Sequence, residues 1–164
     1  MFGFGKTKDG KPTLPTVRFD SSRVTEAVKA DLWANIQEFE DLPVGKERAI
    51  YEAALETISR GGALHIVALK LTSLGVTKGR AGEIARYLHR RATHIMNTDR
   101  MLATGITKAR WLWSGACDLG GHSNADKQSY DVRRGLKING RLIFPSIEPG
   151  CSCVHVAIVQ GFDD

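Results

Sequence analysis

From Val24 to Ile95 apolar residues recur every three or four positions, and after Gly105 they stop doing so. A three-to-four period places side chains on one face of a helix, whereas the later segments carry β-branched and aromatic residues in short runs. A chain with this division folds as helices followed by strands, with the two kinds of element segregated. Val24, Val28, Leu32, Ile36 and Phe39 mark a first helix, which Ser21 or Ser22 can cap and Pro43 interrupts. Tyr51, Leu55 and Ile58 mark a second, closed by Gly61 and Gly62. Leu64, Val67, Leu71 and Leu74 mark a third, with Gly75 placed to end it. Thr77 can cap a fourth, whose stripe is Ala81, Ile84, Ala85, Leu88, Ala92 and Ile95.

Beyond Gly105, "ITKARWLW" reads as a strand and "SGACDLGGHSNADKQS" as a loop. In "LKINGRLIF", Asn139-Gly140 separates two short apolar runs and predicts a tight hairpin, because both residues tolerate positive φ. Pro145 stops its second arm, and "CVHVAIV" reads as a final strand. The expected class is therefore α+β, a helical N-terminal two-thirds with a small antiparallel β region at the C-terminus. The expected divisions are 1–20, an extended arm or tail, 21–104, helical, and 105–164, a β-rich cap on the same folding unit. Pro12 and Pro15 keep the arm extended, and Phe2, Phe4 and Leu14 would anchor it if it docks.

All three cysteines and one of the five histidines fall in two stretches, "ACDLGGH" (116–122) and "PGCSCVHV" (149–156). An odd cysteine count excludes a fully paired disulfide framework within the chain. No apolar run approaches the length that spans a bilayer, and the N-terminus lacks a secretory pattern, so a cytosolic site of synthesis is expected. Cys117 and His122 flank one loop; Cys151 and Cys153 bracket the turn into the last strand. One pair per loop is the arrangement of a structural zinc site, and residues two apart on an extended segment face the same way. Asp118 and His155 are spare ligand candidates. Two other readings stay open: the cysteines are small buried hydrophobes, or two form a redox pair, which in Cys-x-Cys would close a strained loop.

A formal net charge of +5 favours polyanionic neighbours. Arg86, Arg90 and His94 follow at four-residue intervals on the fourth helix, flanked by Arg80 and Arg91, with Glu83 the nearby acid. Such a stripe is either a solvated face or a contact for phosphate or an acidic partner. Asp118, His122, Asn124 and Asp126 also suggest a small metal-dependent nuclease, although Asn and Asp here serve equally as turn formers. No Gly-x-Ser-x-Gly, phosphate-cradling glycine loop or His-Glu-x-x-His occurs.

The order of "GVTKGRAGEIARYLHRRATHIMNTDR", "KARWLWSGACD", "GH", "ING" and "PGCSCV" resembles the C-terminal module of phage minor head proteins of the Mu-type head-morphogenesis family, over roughly residues 61–160. Trp111 matches the family tryptophan, Asp118 its aspartate, His122 its His or Cys, Gly140 its hairpin glycine, and Cys151 and Cys153 its terminal pair. Between the aspartate and the histidine, Leu119-Gly120-Gly121 stands where members carry an arginine-containing stretch. The resemblance implies a non-enzymatic virion protein, a minor capsid or head-morphogenesis component present in few copies. It would associate with the portal or major capsid protein inside the head, beside packaged DNA, and be made in the host cytoplasm. A toxin-like effector nuclease and a free-standing zinc-stabilised nucleic-acid-binding domain are the competing functions.

Overall fold

The computed structural model describes residues 20–61 and 64–161; the proposed arm, with Phe2, Phe4 and Leu14, lies outside them. The α+β expectation holds. Among the described residues four α-helices, α1 (Glu26–Gln37), α2 (Glu47–Ser59), α3 (His65–Ser73) and α4 (Lys78–Ala103), precede five short strands, β1 (Lys108–Leu112), β2 (Ser129–Asp131), β3 (Leu136–Ile138), β4 (Arg141–Ile143) and β5 (Val154–Ala157). Among the described residues, no helix is long and apolar enough to cross a membrane.

The helices bury one apolar cluster that includes Val28, Leu32, Ile36, Ile50, Ala54, Leu71, Ala81, Ile84, Leu88 and Ala92. Most of these were legible from spacing, with two differences. Ser21 and Ser22 sit in a short 3-10 turn, Ser21–Arg23, where Ser22 donates its backbone N–H to Asp20; Thr25 is the residue before α1. On α2 the inward face runs through Ile50, Ala54 and Ile58, one residue off the expected Tyr51 and Leu55, which are half-buried. Ala54 reads as neutral in sequence, but a small residue is what lets two helices approach.

At 26 residues, α4 serves both halves of the molecule: Met96 closes the helical core and Met101 belongs to a second cluster under the strands. Gly105, at φ +79°, turns the chain out of the helix towards β1. In the antiparallel sheet, β1 lies between β2 and β5, pairing Ala109 with Tyr130 and Trp111 with His155. Period-two alternation sends Ala109 and Trp111 inward, and both are fully buried. β3 and β4 form the separate expected hairpin, turning at Asn139 (φ +50°) and Gly140 (φ +82°). β2 was not foreseen; its three residues lie in a polar run, and only Tyr130 among them is buried.

Candidate metal centre

The loop after β1 carries Cys117 and His122, and the turn before β5 carries Cys151 and Cys153. All four side chains are buried, and their ligand atoms lie within 4.8 Å of one another. His122 Nδ1 is 3.3 Å from Cys117 Sγ, 3.5 Å from Cys151 Sγ and 3.8 Å from Cys153 Sγ. Ordinary zinc bond lengths in a tetrahedron put nitrogen and sulfur about 3.6 Å apart, so the three edges match that figure.

The other ring nitrogen fixes the histidine. Nε2 lies 3.1 Å from a Glu148 carboxylate oxygen, and Glu148 is itself 3.4 Å from Arg141 on β4. A carboxylate at Nε2 favours the tautomer protonated there and leaves the Nδ1 lone pair facing the sulfurs, as in carboxylate–histidine–metal arrangements. Gly121 makes the approach possible: it sits at φ +85°, and a Cβ there would lie 2.6 Å from the Ile138 side chain. The loop can therefore press against the β3–β4 hairpin only with glycine before His122.

The sulfurs sit among donors suited to thiolate. Burial pushes the Cys151 thiol up to about 12, against the opposing pull of the Ser146 and Cys153 backbone N–H groups. Burial likewise raises Cys153, opposed by the Ser114 N–H and the Trp111 indole. At Cys117 burial is outweighed by the Leu119 and Ser152 N–H groups and the neighbouring thiols, so its pKa is lowered. Trp111 Nε1 is buried without a well-formed hydrogen bond and counts towards the thiolate of Cys153. Ser146, a non-glycine residue at φ +67°, donates its N–H to Cys151 Sγ at 3.3 Å. A left-handed serine is strained, and here the strain aims an amide at a sulfur. Three thiols cannot all ionise in so dry a site unless a cation balances them, while their donor shell favours the charged form. The residues fit a soft divalent metal.

The spare ligand candidates fall elsewhere. Asp118 is exposed. His155 accepts or donates at Tyr130 OH (2.9 Å) and lies against His94, with ring centroids 4.7 Å apart. Of the nuclease-like set, His122 is 1% exposed with both ring nitrogens engaged, and an Asp126 carboxylate oxygen accepts the Trp113 N–H. Glu148, Ser146 and the Leu119 and Ser152 amides were not foreseen, because a carboxylate 26 residues from its histidine and backbone N–H groups leave no sequence signal.

The basic stripe is not one surface. Arg80 pairs with Asp41 and Glu83. Arg91 makes a two-pronged pair with Asp31 of α1 and donates to Ile147 O at 2.7 Å. His94 is buried against Phe144 and His155. Arg90 donates to the Cys151 carbonyl at 3.1 Å, and Arg86 is exposed. Two packings divide the stripe: Asp41 and Asp31, from the chain around α1, engage Arg80 and Arg91, and the cap docks over Arg90 and His94.

Burial, then the neighbouring His155 and Arg91 charges, lower the His94 pKa from 6.5 to about 3. The unfolded chain therefore binds a proton that the folded chain refuses. Its stabilisation is whole above pH 6.5 and is lost as pH falls towards 3, by up to about 1.4 kcal/mol per pH unit. Urea midpoints measured across that window should fall less steeply for His94→Phe than for the parent at equal metal content.

The fold and site define an α+β protein with a buried Cys3His cluster that could bind a metal such as zinc. No family model, curated protein or solved structure matches the chain.

Proposed function

We propose that this chain is a non-catalytic structural protein of a bacteriophage head. In this reading it is a minor capsid or head-morphogenesis component that docks at the portal or inner shell beside packaged DNA. Zinc held by Cys117, His122, Cys151 and Cys153 locks its C-terminal cap. The observation that carries the reading is the meeting of the two cysteine-bearing stretches directly beside the Trp111 strand, with the His122 and Trp111 ring centroids 5.1 Å apart. The resemblance to minor head proteins rests on those segments in that order, and their convergence gives the order a physical purpose.

When bound, zinc supplies a closed four-ligand crosslink between two loops, with no vacant position for a substrate. The chain's own groups do the rest: Glu148 orients His122, the amides of Leu119, Ser146 and Ser152 stabilise thiolate, and Trp111 shields the centre from water. Burial of His122 also favours a structural role over the nuclease alternative, since a general base must reach its substrate.

Two measurements test the reading. Mass spectrometry of purified particles of the encoding phage should find the chain, at few copies, in DNA-filled heads; its absence from heads that retain their portal overturns the proposal. Incubation with DNA, RNA and divalent metals should yield no products. Cleavage that His122→Ala abolishes would replace the structural role with an enzymatic one.

A further inference from the structure

A cleft of about 270 Å³ opens between α4 and the turn that carries Cys151, lined by Arg86 and Arg90, by Phe39 and Tyr87, and by Pro149 and Gly150 among others. Its charges are not balanced. Arg80 and Glu83, on the same wall, are spent on each other and on Asp41. Arg86 and Arg90 have no carboxylate within ion-pair distance among the described residues. Among the described residues Arg90 bonds only to the Cys151 carbonyl, and Arg86 folds back over Gly82, where a Cβ would lie 3.3 Å from its Nη1. Four-residue spacing places the two residues on one side of the helix, where both line the cleft. The Phe39 and Tyr87 rings beside them form a low-dielectric wall that strengthens their field inside the cleft.

We propose that this cleft is a phosphate-binding pocket, with Arg86 and Arg90 as the paired ligands of one phosphate group, and that the metal centre holds it in shape. Two guanidinium forks lining one cleft match the several acceptor oxygens of phosphate. The link to the metal is covalent and short: the carbonyl that fixes Arg90 belongs to Cys151, whose sulfur is a ligand candidate, and Pro149 and Gly150 form the facing wall. Freeing that turn releases Arg90 and opens the cleft. The proposal deepens the DNA-facing role above and rests on that reading only for the metal that fixes the Cys151 turn. The phosphate can belong to a nucleic-acid backbone or to a small phosphate ester.

The test uses the full-length metal-loaded protein, its metal content measured alongside. Inorganic phosphate should shift the guanidinium NMR signals of Arg86 and Arg90 and leave those of Arg48, an exposed residue paired with Glu52 on α2, in place. A short labelled DNA duplex should bind about tenfold more weakly to Arg86→Gln or Arg90→Gln, with a salt slope shallower by about one per arginine, and unchanged to Arg48→Gln. Arg86 is exposed, so its variant is expected to keep its fold and its metal; Arg90→Gln is read only after its thermal melt matches the parent. Chelation should weaken phosphate binding by at least the same factor. Phosphate binding without duplex binding assigns the pocket to small phosphate esters. Metal-loaded protein whose Arg86 and Arg90 signals ignore phosphate, or an Arg86→Gln, Arg90→Gln variant that binds duplex as the parent does, overturns the pocket and leaves the zinc reading standing.

Discussion

Stripping the metal with a chelator is expected to unfold the cap while most of the helical circular dichroism persists. The cap's own secondary structure is slight. Its strands are three to five residues long, one hairpin stands apart from the sheet, and among the described residues three of the ten cap residues in the second buried cluster are the cysteines themselves. A lone short hairpin and a three-stranded sheet of this size are marginal in water. Structural zinc sites contribute about 10–16 kcal/mol, as much as the whole net stability of a typical domain, so the loss dwarfs any single contact in the cap. The helices keep their own apolar core, which needs none of those ligands. The expected signature is a red shift of Trp111 fluorescence and rapid proteolysis after Gly105, both reversed by adding zinc. Cys117→Ser or Cys151→Ser should behave like the stripped protein. Unchanged fluorescence and protease resistance in metal-free protein would mean that the cysteines are ordinary core residues.

The second large effect is expected at Arg91. Its guanidinium engages Asp31 on α1, the Tyr87 hydroxyl and the Ile147 carbonyl, and Tyr87 donates in turn to Asn35. One side chain therefore joins α1, α4 and the cap. The ion pair is largely buried, with side-chain exposures of 16% and 17%. Removing one partner strands the other charge, which costs about 3–5 kcal/mol. For a chain of this length, Arg91→Met should lower the melting temperature by about 10 °C or more. Arg91→Met combined with Asp31→Asn should recover part of that loss, because no buried carboxylate is then left alone. A single variant that melts within 2 °C or so of the parent would show that the bridge contributes little.

The parts of the fold that sequence disclosed are those governed by local rules. Asn139-Gly140 announced its hairpin because few other residues accept two successive positive φ values, and the α4 stripe was readable from Ala81 to Ala92 because periodicity is a property of one helix alone. The four ligand candidates were readable too, since thiols and imidazole in two pairs suggest convergence before any contact is known. What stayed hidden depends on where distant segments meet. Arg80 and Arg91 look like free surface charge until Asp41 and Asp31 arrive from elsewhere in the chain. His94 looks polar and outward until the cap covers it. Glu148 carries no motif, and its role exists only because the loop bearing it lies over the far side of His122.

X-ray absorption at the zinc edge, on full-length protein purified without added metal, tests the central claim most directly. One zinc per chain, with three sulfurs at about 2.3 Å and one nitrogen at about 2.0 Å, is the predicted result. A folded protein carrying no metal, or a metal whose shell holds only oxygen and nitrogen, would contradict it.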